Sequence, residues 1–196
     1  MSSDIQSTFI DAAVASAAAV STSAAVGNNA ALTLTTSPYV PDFPRKITIT
    51  SAGNDSGISF TVVGLNENGA AVTEAVTGAN SGVATTANYY SSVTSITAVG
   101  DPAANVSAGT GNEVFATIFA GRMRLQGLYA VNTASAGTIT FRDTSPTGAI
   151  RMQFATVGSA TSSEYPDVPD DGILFVGGGF LDYSAANMSS ITLFYC

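Results

Sequence analysis

From residue 31 onward the chain alternates. Lys46-Ile47-Thr48-Ile49-Thr50 sets Ile47 and Ile49 on one face and Lys46, Thr48 and Thr50 on the other, the period-two pattern of a half-buried strand. Over Ile58–Val63, Phe60 and Val62 alternate with Ser59 and Thr61, and Val93–Ala98 carries the same signature. Dense turn clusters separate these runs: Ser51-Ala52-Gly53-Asn54-Asp55-Ser56-Gly57, the stretch Gly64–Gly69, Gly100-Asp101-Pro102 and Gly109-Thr110-Gly111-Asn112. Asn68-Gly69 suits a tight hairpin turn, with Ala70–Thr77 as the returning strand. Turn clusters at intervals of roughly ten residues are the spacing of a β-sandwich, so residues 31–112 are predicted to form one module of about seven short strands.

The second half keeps the style without repeating the sequence. Strands are predicted over Val114–Phe119, Arg122–Ala130, Gly137–Arg142, Ile150–Val157, Ile173–Val176 and Ile191–Tyr195. No helical signal lies between them. Parallel neighbours need a crossover of about a dozen residues or more, so a second antiparallel module is expected over residues 113–196. Residues 1–30 differ from both: they form an Ala/Ser-rich arm, with a short helix expected within Ile5–Ala19, ahead of Gly27-Asn28-Asn29. Such an arm is either a mobile tail or a segment that orders on a neighbouring subunit. The fold class is all-β, two antiparallel β-sandwich modules preceded by this N-terminal arm.

Composition narrows the function. Charged residues make up 10% of the chain, against about 25% in ordinary soluble proteins. Thr, Ser, Asn and Gly stand at outward positions that charges would normally occupy, so such a surface loses little when it is stripped of water. Charge-depleted contact surfaces belong to obligate assemblies, and a subunit of an assembly is the expectation. The net charge is −8, from 14 acidic and 6 basic residues, and no cluster of Lys and Arg is available to replace the counterions of a phosphate backbone. Arg122 and Arg124 come nearest, and a solvated edge or a carboxylate partner accounts for them. No nucleic-acid partner is expected. Ala12–Val26 is broken by Ser16, Ser21, Thr22 and Ser23 and has no basic residue before it, which fits neither a secretory signal nor a membrane span; no membrane partner is expected.

The side chains that carry chemistry are scarce. There is no His, the usual proton shuttle and metal ligand. Ser nucleophiles abound, but no Gly-x-Ser-x-Gly elbow occurs, and a Ser–Lys dyad would have to use Lys46, the single lysine. Cys196 is the single cysteine and excludes an intrachain disulfide framework. Glu164, Asp167, Asp170 and Asp171 could supply oxygens to Ca²⁺, yet the EF-hand spacing is missing and Pro166 and Pro169 stiffen the stretch; a solvated turn is the better reading. Gly53–Gly57 and Gly177-Gly178-Gly179 open no predicted helix, so they lack the converging amides of a phosphate loop. Tyr89 and Tyr90 could stack on a sugar ring, although one packed inward and one capping the sheet edge fits them better. No enzymatic activity, catalytic residue, metal ligand or cofactor is expected, and the binding residues stay unassigned.

Two stretches carry a resemblance. Arg45-Lys46-Ile47-Thr48-Ile49-Thr50-Ser51-Ala52-Gly53-Asn54-Asp55-Ser56-Gly57, continuing through Phe60-Thr61-Val62-Val63-Gly64, Ala75-Val76-Thr77-Gly78, Val93-Thr94-Ser95-Ile96-Thr97 and Val106-Ser107-Ala108-Gly109-Thr110-Gly111, resembles a module of tailed-bacteriophage structural proteins. Gly127-Leu128-Tyr129, Gly137-Thr138-Ile139-Thr140-Phe141-Arg142-Asp143 and Pro169-Asp170-Asp171-Gly172-Ile173 are similar to a second phage-type β module. The resemblance implies an Ig-like first sandwich and a jelly-roll-like second one. It further implies a virion component assembled in the host cytoplasm: a capsid decoration (cement) protein, homotrimeric, with the major capsid protein as partner. A tail or head–tail part, fibre-associated parts included, and a host-glycan-binding module using Tyr89, Tyr90 and the 164–171 turn are the alternatives.

Overall fold

In the computed structural model, which describes residues 4–196, every regular element is a strand. In chain order these are β1 (Gln6–Ile10), β2 (Ser16–Ala24), β3 (Arg45–Ser51), β4 (Ser59–Asn66), β5 (Ala71–Thr77), β6 (Val83–Thr85), β7 (Tyr90–Val99) and β8 (Val106–Phe119). Then follow β9 (Met123–Asn132), β10 (Gly137–Asp143), β11 (Ile150–Thr156), β12 (Ser163–Glu164), β13 (Ile173–Phe175), β14 (Gly179–Ser184) and β15 (Met188–Tyr195). The strand pairs run antiparallel. The all-β antiparallel class read from the alternation is the class observed. In β3 the parity holds throughout: Arg45, Ile47, Ile49 and Ser51 are buried, while Lys46, Thr48 and Thr50 are half-buried.

The chain divides into two compact units. Val14–Asn112 forms one of them. There β3, β7, β4 and β5 follow the start of β8 in one sheet, with β2 also on β8 and β6 on β3. Ile47, Ile49, Phe60, Val62, Tyr90 and Ile96 make the centre of its core, and burying each of the aliphatic and Phe side chains contributes roughly 1.5–3 kcal/mol. The stretch between β2 and β3 holds no regular strand but lies along β7. Leu32 N–H donates to the Ile96 carbonyl (2.8 Å), and Tyr39 and Val93 exchange both backbone bonds (2.9 and 2.8 Å). Those bonds satisfy backbone groups that burial would otherwise orphan, and they let Leu32, Leu34 and Tyr39 close over the core.

Residues 4–13 join Glu113–Cys196 in the other unit. One of its sheets runs β1-β15-β9-β12, with β13 also on β9; the other runs β11-β10-β14 to the end of β8. Ile10, Leu125, Leu128, Ile191 and Leu193 are buried on the first, and Phe115, Phe141 and Leu181 on the second. Phe119 of β8 meets Tyr195 of β15 across the two, ring centroids 5.8 Å apart.

Two local expectations are overturned. The helix expected within Ile5–Ala19 is absent, and the thirty-residue arm is not a separate piece: β1 pairs with β15 and β2 with β8. Helix propensity of Ala is a weak prior, and pairing onto two existing strands outweighs it. The turn expected at Gly109–Asn112 is instead the middle of β8. Gly109 serves close approach, since a Cβ there would collide with the Ser16 carbonyl oxygen of β2, whereas one on Gly111 would meet the Lys46 carbonyl of β3 at 3.4 Å, an ordinary contact.

Candidate functional site

Within each unit, the residues that sequence singled out do not converge on one site. Tyr90 is buried, and burial first, then the Glu74 carboxylate, raises its phenol well above the ordinary value; it cannot stack on an external ring. Tyr89 is half-buried, with the Lys46 ammonium 5.5 Å from its ring centroid, a cation–π contact that engages the single lysine. Arg124 donates to the Asp171 carbonyl at 2.8 Å rather than to a carboxylate, and Arg122 lies outside β9. Glu164 is half-buried and accepts from Asn132 Nδ2 at 3.0 Å, whereas Asp167, Asp170 and Asp171 are exposed. Among the described residues no three His, Cys, Asp or Glu side chains converge as a metal site would require. Cys196 is half-buried, its Sγ accepting from Gln126 Nε2 at 3.3 Å.

Three buried charges went unread: Asp55, 1% exposed, accepts from Ala103 N–H at 2.8 Å, and the other two each anchor a loop through an ion pair. Arg45 is 1% exposed. Its Nε and one terminal nitrogen grip the two oxygens of Asp42 at 2.6 and 2.8 Å, and its other terminal nitrogen donates to the Gly111 carbonyl at 3.0 Å. The signal was available: Arg45 shares parity with Ile47 and Ile49, and Asp42 stands three residues earlier. Asp143 is the second, 4% exposed. One carboxylate oxygen accepts from Gly177 N–H (2.9 Å); the other accepts from Val176 N–H (3.2 Å) and from Arg151 Nε (3.0 Å). Burial pushes this carboxyl up, but the Gly177, Arg151 and Val176 donors outweigh it and hold it below its ordinary value. The triglycine loop does cradle an anion, and the anion is the chain's own Asp143.

The outward face of the β1-β15-β9-β12 sheet is built differently. Phe9 stands opposite Thr192, and Thr192 opposite Tyr129; Ser7 stands opposite Phe194, and Phe194 opposite Gly127. Residues directly opposed across antiparallel strands share a face, so Phe9, Phe194 and Tyr129 project together. Tyr165, just after β12, rests on Tyr129 with ring centroids 4.8 Å apart, and the Tyr129 hydroxyl meets Ser163 Oγ at 3.1 Å. Phe9 is 63% exposed, Tyr165 70% and Phe194 39%. Three aromatics exposed on one sheet face are a grouped apolar surface rather than scattered single residues. Sequence reasoning missed it because β1 was read as part of a helix, which hid the register that aligns Phe9 with Tyr129. No family model, curated protein or solved structure matches the chain.

Proposed function

We propose that this chain is a non-enzymatic structural protein of a tailed-bacteriophage virion, a capsid decoration protein that binds the outer shell as a homo-oligomer and stabilises it. One observation carries the reading: an aromatic sheet face presented to solvent by a β scaffold with 10% charged residues. Docking through such a face strips water from rings and hydroxyls rather than from ammonium and carboxylate groups, which keeps the desolvation cost low. The turn-and-strand resemblance of residues 31–196 to phage structural modules supplies the setting, with an Ig-like and a jelly-roll-like sandwich and a three-fold assembly as its further implications. Each contact can be modest, because linked copies on a lattice multiply their hold through effective concentration.

The test compares purified shells with and without the protein during heating, together with its copy number relative to the major shell protein. Decoration requires a copy number comparable with that of the shell protein and a shell that melts earlier when stripped. Equal heat resistance of the stripped shell would refute the reading, and a handful of copies per particle would move the protein to the tail.

The stacked Tyr165–Tyr129 pair favours a second reading, in which the rings receive a host-surface sugar. Adsorption unchanged by Tyr165→Ala removes it.

A further inference from the structure

Open sheet edges invite pairing, and proteins blunt them with charge, proline, bulges or covering loops. Most edges here are treated so. On β5, Glu74 accepts from the N–H groups of Ala87 (2.6 Å) and Asn88 (3.1 Å), drawing that loop against the strand. β11 carries Arg151, and its register with β10 shifts between Phe141 and Arg142. β12 is two residues long and is followed by Pro166, β6 is three residues long, and the β2 register breaks twice.

β1 has none of these devices. It stands at the end of its sheet and pairs on one side with β15, in unbroken register from Gln6↔Tyr195 to Ile10↔Ile191. Its sequence, Gln-Ser-Thr-Phe-Ile, holds no charge, proline or glycine. Asp4 and Asp11 flank it, and Phe9 and Ile5 beside it are 63% and 66% exposed.

The strand is also self-complementary. Antiparallel pairing about a two-fold axis through Thr8 sets Thr8 against Thr8, Ser7 against Phe9 and Gln6 against Ile10. The Ser7–Phe9 pairs lie on the outward face, beside Phe194 and Thr192, so the aromatic face continues from one copy to the next. In the same register Asp4 falls opposite Ala12 and Asp11 opposite Ile5. Asp4 and Asp11 have opposite parity and project to opposite faces, so no two carboxylates are opposed. We propose that β1 is a self-pairing edge, through which two copies join antiparallel about Thr8 into a two-fold dimer with one continuous sheet. The pairing is isologous and is the state expected in free solution, distinct from the three-fold assembly on the shell that the resemblance implies. It rests on the edge alone, whatever surface the chain docks to.

The test uses the full chain and light scattering on a sizing column. The wild type is expected at twice the 19.7 kDa chain mass. Ser7→Lys with Phe9→Lys opposes lysine to lysine twice across the axis, and the doubled mass is lost. Ser7→Lys with Phe9→Glu opposes lysine to glutamate, and the doubled mass returns. Both double variants alter exposed positions and lose the same Phe ring, so the contrast isolates register; an unchanged melting curve checks that each is folded. A wild type of single or triple mass overturns the proposal. So does a double-lysine variant that stays dimeric, or a lysine–glutamate variant that does not recover. Shell binding measured on the same variants reports separately on the decoration reading.

Discussion

Replacing Asp143 by Asn removes one charge from a site where three donors converge. The Gly177 and Val176 N–H groups, at 2.9 and 3.2 Å, then face a neutral oxygen and an amide nitrogen that cannot accept. Hydrogen bonds to a charged group contribute about 1.5–3 kcal/mol each. Arg151, with its side chain 39% exposed, recovers solvation and adds under about 1 kcal/mol. Their sum is about 3–7 kcal/mol, and because the glycine loop can relax the loss falls at the lower end, about 3 kcal/mol. For a unit of this size that is a fall of roughly 10 °C or more in the melting midpoint at neutral pH. The pH dependence follows from the direction of the shift. Because the folded carboxyl lies below its ordinary value, its contribution is complete above the unfolded pKa of about 4 and fades as pH falls through the folded value. Wild type and Asp143→Asn should therefore converge on acidification. Calorimetry from about pH 7 down to about pH 2.5 reads both effects. Melting within a degree or so at neutral pH, or a gap that stays constant into acid, would refute the reasoning.

Two further outcomes follow from the Val14–Asn112 unit. Arg45→Met strands the Gly111 carbonyl and leaves Asp42 to rehydrate at its 35% exposed side chain, so chemical denaturation should show a loss of about 2 kcal/mol, below the usual figure for a fully buried pair. Gly109→Ala drives a Cβ into the Ser16 carbonyl oxygen, and hydrogen exchange should find amide protection lost over Ser16–Ala24 while β4, β5 and β7 keep theirs; retained protection in β2 would show that the approach is not obligatory.

The fold class was legible because β3, β4 and β7 each bury one face, and a half-buried strand writes its parity into the sequence. The hairpin between β4 and β5 was legible as well, through Asn68-Gly69, with Gly69 at φ +76°. Asn66 was not singled out, although its side-chain oxygen accepts from both Asn68 N–H (3.0 Å) and Ala70 N–H (2.9 Å). β2 could not be read, because Ser-Ala-Ala-Ala-Val-Ser-Thr-Ser-Ala has no period of its own and becomes a strand through its partner β8. The aromatic face was missed for a related reason. Phe9, Tyr129 and Phe194 are distant in sequence, and a pairing register is a tertiary fact with no local trace.

The pairing of β1 with β15 also sets an order of events in time. Thr8 Oγ1 and the Tyr195 hydroxyl, 3.1 Å apart, belong to residues 187 positions apart. At about 5–20 residues per second, β1 emerges from the ribosome roughly ten seconds or more before β15 exists to receive it. During that interval the Val14–Asn112 unit already has all its strands, while the uncharged segment from Gln6 to Ile10 has both edges bare. Closing so long a loop is slow, which makes β1 a late-docking strand and nascent chains on the same message the first partners it can meet.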